Sequence, residues 1–195
     1  MISLELMAGS AFNFPTPLSV SQQGYPDIHS TAEYDTKPFG PFMPYYAWRV
    51  SLLEKNGAWE LEHVHHRLFL TNPPPEIQDF AIHFGYNFFL LGYAWNLGDF
   101  VLHLDAGPIF TSPFSTIRGQ IYSSAGVGFL HGGYTFSGLG AQAALSRNLY
   151  ITNNFYFILE AALIPGWAWA VPVANGNADV PNIGLHGHLG TGVRF

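Results

Sequence analysis

The sequence predicts an all-β fold, an antiparallel transmembrane β-barrel of about eight to ten strands, built from one domain over residues 1–195. Three observations carry this. First, the final stretch alternates to its end: Ile183, Leu185, Leu189, Val193 and Phe195 share one face, with His186, His188, Arg194 and glycines on the other. Strand side chains point alternately to opposite faces, so one face is apolar and the other polar or small. Second, charged residues make up 10% of the chain and aromatics 16%, where soluble domains are about a quarter charged. Third, short turns and longer connections alternate along the chain, as they do in barrels with tight turns at one rim and loops at the other.

The elements follow in order. Ile2, Leu4, Leu6, Ala8, Phe12 and Phe14 form an outward face opposite Ser3, Glu5, Met7 and Asn13, and Pro15-Thr16-Pro17 breaks the run. A short strand spans Leu18 to Gln23, and Gln23 to Asp27 is a turn. Ile28 to Thr36 alternates again, and Lys37 to Pro44 is a proline-rich loop. Tyr46, Trp48, Val50 and Leu52 face outward, with Arg49 and Ser51 inward. Lys55-Asn56-Gly57 signals a hairpin. On the return strand, Ala58 to Leu70, Trp59 and Leu61 begin the apolar face and Val64, His66, Leu68 and Leu70 continue it. That requires a one-residue slip, read as a β-bulge, at Glu62-His63. Thr71 to Asp79 is a loop.

Phe80, Ile82, Phe84, Tyr86 and Phe88 alternate with His83, Gly85 and Asn87, and Phe100, Leu102 and Leu104 with His103 and Asp105. Pro108 to Gly133 reads as a loop with some strand extension, and Tyr134 to Leu149 as a glycine-rich strand. Phe155 to Val173 is apolar over the length of a membrane helix. Glu160, Pro165, Pro172 and the period-two aromatics favour a strand instead. Short turns are expected at Gln23–Asp27, Lys55–Gly57, Gly92–Gly98 and Thr152–Asn154. Long connections are expected at Lys37–Pro44, Thr71–Asp79, Pro108–Gly133 and Ala174–Pro181. Ten strands result if Ile2–Phe14 and Leu18–Gln23 are separate, and eight otherwise.

The polar face gathers ionisable residues in the interior: Glu60, Glu62, His65, His83, His103, Asp105, Glu160, His186 and His188, together with Glu5, Glu33, Arg49, Arg67 and Arg194. A narrow barrel is filled by side chains, so these groups are expected to pair with one another as a plug. The His-X-His pairs His63/His65 and His186/His188 are candidate metal ligands, because residues i and i+2 share a strand face. No cofactor is predicted. The net charge of −6 excludes nucleic acid as a partner, since no basic stripe is present to meet phosphates. The absence of cysteine excludes disulfides and thiolate chemistry. No basic-then-apolar signal peptide opens the chain, so an exported protein would be read here in its mature form.

The ending, with Phe195, Val193, Leu189 and Leu185 in series and Thr191 a weak member, resembles the closing strand of bacterial outer-membrane β-barrels. The resemblance implies a bacterial outer-membrane location, lipid or lipopolysaccharide around the wall, and an assembly machinery that reads Phe195 as its signal. Some small barrels of that kind are lipid A deacylases or palmitoyltransferases, using Ser, His and an acid. The candidate parts here are His29, His65, His131 and His186, with Ser30, Ser112, Ser115, Ser123 and Ser124. No His-X-Ser on one strand face and no Gly-X-Ser-X-Gly elbow occurs. The expected role is therefore structural, or a binding scaffold with external loops. The alternatives are a lipid-modifying barrel enzyme of the lipid A deacylase kind and a soluble lipocalin-like barrel with its faces reversed. So few charges would give the soluble form a poor surface.

Overall fold

The computed structural model describes residues 1–39, 44–124 and 133–195. The strands are β1 (Ile2–Phe14), β2 (Thr16–Gln22), β3 (Ile28–Ala32), β4 (Tyr34–Asp35), β5 (Tyr46–Leu53), β6 (Gly57–Leu70) and β7 (Ile77–Leu97). They continue with β8 (Phe100–Thr111), β9 (Phe114–Ile117), β10 (Gln120–Ser123), β11 (Thr135–Tyr150), β12 (Phe155–Val173) and β13 (Gly176–Arg194). Eight of them close a ring of antiparallel ladders: β1 to β5, β6, β7, β8, β11, β12, β13 and back to β1. A closed ring leaves no strand edge unpaired, as lipid requires. The chain ends complete the seam: the Ile2 N–H donates to the Phe195 carbonyl, and the Phe195 N–H donates to the Ile2 carbonyl.

The count is eight walls. Ile2–Phe14 and Thr16–Gln22 are successive parts of one wall, because β1 and β2 both pair with β13. The turns after β5, β7 and β11 share the lower rim with both termini. The β2–β3, β6–β7, β8–β11 and β12–β13 connections share the upper rim. Several expectations change. Ala174–Pro181 is not a long connection, since β12 ends at Val173 and β13 begins at Gly176, and most of Gly92–Gly98 belongs to β7. Gln23–Asp27 belongs to the upper rim. Lys37–Pro44, of which residues 40–43 lie outside the described set, joins two pieces of one wall, since β4 and β5 both run antiparallel to β6. Much of the range read as loop over Pro108–Gly133 is strand, with residues 125–132 outside the described set. The turn after β7 is short because Gly98 takes a φ of 71°, a conformation that glycine adopts without steric cost.

Proline explains one register change. Phe14 lies opposite Ile183, but Ser19 lies opposite Asp179, so the first wall carries one extra residue near Pro15. Proline donates nothing to a ladder and is tolerated at a bulge. The slip reverses the faces. Below it Ser3, Glu5, Met7 and Asn13 are buried inside; above it Leu18, Val20 and Gln22 are. A second slip falls between Ala168 and Val171, and it turns Val171 and Val173 inward.

The outer wall carries an apolar belt: Leu6, Leu104, Leu145, Leu159, Leu163, Leu185 and Leu189 are exposed. Trp59, Trp95, Phe100, Tyr150 and Phe157 flank it below; Phe12, Phe136, Trp167 and Trp169 flank it above. This is an apolar band between aromatic girdles. Phe155–Val173 is strand β12, as the aromatic period indicated. Leu189→Arg would set a cation among lipid tails near mid-wall, at a cost of about 2–4 kcal/mol. Urea unfolding of the protein in lipid vesicles measures this, and a loss below about 1 kcal/mol would move the lipid face elsewhere.

The interior is divided. Its upper part is apolar, with Leu18, Leu68, Phe80, Ile82, Tyr86, Phe88 and Ile109 almost fully buried. The outward assignment of Phe80, Ile82, Tyr86 and Phe88, and of Val64, His66 and Leu68, is thereby corrected. No slip occurs at Glu62-His63; β6 keeps one phase from Ala58 to Leu68. The irregularity lies across from Arg67, where residues 83–85 of β7 bulge out and Gly85 takes a φ of 126°.

Candidate functional site

The lower interior is organised around Arg49. Alternation on β5 turns it inward, and it is 1% exposed. Its Nη1 donates to Glu5 Oε2 at 2.9 Å, and its Nε to Glu62 Oε2 at 3.0 Å. Its Nη2 donates to Glu62 Oε2 at 2.8 Å and to Glu160 Oε2 at 2.6 Å. Glu60 Oε2 stands 3.9 Å from Nε. The planar fork suits this task because its N–H groups diverge toward carboxylates on different walls. Carboxylates without such a partner would be costly to bury.

A second layer holds the carboxylates in place. His103 Nδ1 donates to Glu60 Oε2 at 2.6 Å, and its Nε2 meets Ser146 Oγ at 2.8 Å. Ser51 donates to Glu60, and Tyr156 to Glu5. His188 Nδ1 donates to Glu160 Oε1 at 2.7 Å. The Tyr45 hydroxyl lies 2.6 Å from both His188 Nε2 and His186 Nδ1. A cavity of about 190 Å³ opens at the lower rim and reaches Glu5, Glu60 and His103.

The structure thus brings together Glu60, Glu62, His103, Asp105, Glu160, His186 and His188 with Glu5 and Arg49. It does not bring in His65 or His83. His65 shares the outward phase of Trp59 and Leu61, and His83 sits half-buried in the bulged segment against Phe84 and Phe114. Glu33 is exposed at the upper rim. Arg67 donates to the carbonyls of His83 and Lys37. The two His-X-His pairs lie on opposite sides of the wall, His63 and His65 outside and His186 and His188 inside, so they share no ion. Glu62, Glu160 and His188 do offer ligand atoms within 4.8 Å of one another. The Arg49 guanidinium already bonds both of those carboxylates, and both His188 nitrogens have partners.

Tyr45, Gln142, Ser146 and Tyr156 belong to the site without having been singled out. Phase is the signal for two of them: Tyr45 is an even number of residues from Arg49, and Tyr156 from Glu160. No inward residue is assigned on the wall of Gln142 and Ser146 from the sequence. The acyl-transfer candidates are not assembled. His29 Nδ1 meets Ser19 Oγ at 3.0 Å on the surface, and Ser112 bonds Ser124 at 2.6 Å. His131 lies outside the described residues. None of these candidates joins a serine, a histidine and an acid in series. Ser146, His103 and Glu60 do form such a series, but all three are buried in the lower interior, away from the lipid face of the wall.

The outer wall holds a smaller polar group. His63 Nε2 and His65 Nδ1 donate to Asn87 Oδ1 at 3.2 and 2.8 Å. The Asn87 amide nitrogen faces the Phe110 carbonyl at 3.4 Å, which sets the amide orientation. Tyr46 stacks on His65 and Phe89 packs on His63. A cavity of about 320 Å³ opens beside them, lined by Tyr46, Trp48, His63, Asn87, Phe89 and Tyr134.

No family model matches the chain, and no curated protein does. Among solved structures it is similar to Ail, the attachment invasion locus protein of Yersinia pestis, with 14% identity and a TM-score of 0.48, covering 100% of this chain and 98% of that one. It is also similar to Neisserial surface protein A, with 10% identity and a TM-score of 0.46 over 100% and 97% of the two chains. The outer membrane protease OmpT from Escherichia coli is similar at 10% identity and a TM-score of 0.45, over 100% and 96%. The closed ring of walls, the apolar belt and the aromatic girdles make this chain a membrane-spanning β-barrel, an architecture that belongs to bacterial outer membranes.

Proposed function

We propose that the protein is a non-conducting binding scaffold of the bacterial outer membrane. Its upper-rim connections face the outside, and lipid or lipopolysaccharide surrounds the wall. The observation that carries this is the filled upper interior. Phe80, Tyr86, Phe88, Leu18 and Ile109 are each at most 1% exposed, so side chains occupy the space a solute would need. The Arg49 cluster closes the barrel beneath them. Phe195 completes the seam with Ile2, which supports a role for the chain end in assembly.

The lipid-modifying alternative draws on the cavity beside His63, which faces the lipid side of the wall. No serine, threonine or cysteine lines it, so the nucleophile that acyl transfer requires is missing and the scaffold reading is preferred. The soluble lipocalin-like alternative is disfavoured by the exposed leucine belt. Planar-bilayer recording of the purified protein tests the scaffold reading. Baseline current is expected, and stable single-channel steps would replace the scaffold with a pore.

A further inference from the structure

The lower interior holds more negative charge than its neighbours balance. Glu5, Glu60, Glu62, Asp105 and Glu160 are buried there. Arg49 is the guanidinium among them, and His103 and His188 each hydrogen-bond a glutamate. Arg194 lies at the rim, stacked over Tyr150 and Tyr156. Even with both imidazoles counted as cations, three positive charges face five carboxylates. With all five carboxyls ionised, two negative charges have no partner.

Three side chains meet at one corner, and each carries an oxygen without a hydrogen-bond donor. Gln142 Nε2 donates to Glu62 Oε2 at 2.8 Å and to Asp105 Oδ2 at 3.3 Å, so both carboxylates meet at one amide. Glu62 Oε1, Asp105 Oδ1 and Gln142 Oε1 are each buried with no hydrogen-bond donor. Turning the amide round would set its oxygen against two carboxylates, so the observed orientation is the favourable one. Arg49 does not fill the gap, because its N–H groups are directed to Glu5 Oε2, Glu62 Oε2 and Glu160 Oε2. Asp105 Oδ1 packs against Gly92, where a Cβ would stand 2.1 Å from it, so glycine at that position lets the carboxylate take up this place.

We propose that this corner binds one hard divalent cation, Ca²⁺ or Mg²⁺, with Glu62, Asp105 and Gln142 as oxygen donors. An all-oxygen donor set selects hard cations over zinc or copper. One divalent ion supplies the two missing charges and gives each unpartnered oxygen a partner. The lower-rim cavity reaches Glu60 and His103, each two residues from a proposed donor on its own strand; an ion would enter from that side, with bound water completing the coordination. The ion would tie together β6, β8 and β11.

The test uses the full chain refolded in detergent free of lipopolysaccharide and stripped with a chelator. Titration with Ca²⁺ and with Mg²⁺ is followed by calorimetry and thermal unfolding. One ion per barrel, saturable binding and a raised unfolding temperature are expected, and the tighter ion identifies the occupant. Asp105→Asn, and independently Gln142→Met, should abolish both effects. Glu54→Gln at the exposed lower rim should keep them. Two outcomes overturn the proposal: no saturable binding of either ion to the wild type, or binding that survives Asp105→Asn and Gln142→Met. A stability gain in Asp105→Asn with no ion response in the wild type would also overturn it, because the two missing charges would then be protons. The scaffold reading is tested separately by conductance and stands or falls apart from this result.

Discussion

Arg49→Met is expected to destabilise the folded barrel by about 3–5 kcal/mol, the cost of breaking a buried ion network by removing one partner. The loss comes chiefly from what remains. Glu5, Glu62 and Glu160 would keep their burial and lose the guanidinium that bonds all three. Arg49→Lys should recover only part of this, because an ammonium is a point charge and cannot fork toward three walls. Adding Glu160→Gln to Arg49→Met should recover some of the loss by removing one stranded carboxylate, and the double-mutant cycle reads that coupling. Urea unfolding in vesicles, followed by tryptophan fluorescence, is the measurement. A cost under about 1 kcal/mol would mean that the cluster behaves as a solvated surface network.

Phe88→Ala is expected to cost about 3–5 kcal/mol by opening a cavity in the upper core. The ring lies over two glycines: a Cβ on Gly140 would stand 2.6 Å from it, and one on Gly166 2.9 Å. Neither glycine has a side chain that can move into the vacated space, and the hydrogen-bonded walls hold their separation, so collapse is small. Phe157→Ala is the comparison. Phe157 is 48% exposed on the outer wall, where lipid can replace the lost contacts, and its cost should be well below that of Phe88→Ala. Equal costs for the two changes would show that the upper interior is loosely packed.

The lower half of this molecule was legible in the sequence. Glu5, Arg49, Glu60, His103, Asp105, Glu160, His186 and His188 were placed inward by alternation alone, because there the outside is lipid and the inside is polar. The upper half was misread for one physical reason. Where the walls rise past the lipid, the apolar face belongs inside, so Phe80, Ile82, Tyr86 and Phe88 reverse the rule that holds for Leu102 and Leu104. A bulge at Glu62-His63 would set Val64, His66 and Leu68 outside, but β6 keeps one phase and buries all three. One of the slips that do occur lies near Pro15, where the proline reads in sequence as a strand end. Tyr45 lies between the Lys37–Pro44 loop and the face that begins at Tyr46, so the sequence assigns it to neither. The pairing of Gln142 with both Glu62 and Asp105 depends on which walls become neighbours, which no single strand records.

The slips near Pro15 and after Ala168 have a consequence for how the molecule sits in its membrane. Each marks, on its own wall, the height at which leucine-class side chains cross from outside to inside. Below that height the wall wets with lipid; above it the same wall wets with water. Together they draw a waterline in the backbone itself. A barrel pushed deeper would drown a polar outer surface in hydrocarbon, and one pulled higher would strand its leucine belt in water. Vertical position is therefore fixed by where the chain gains one residue, and deleting Pro15 should lift or sink the protein before it unfolds it.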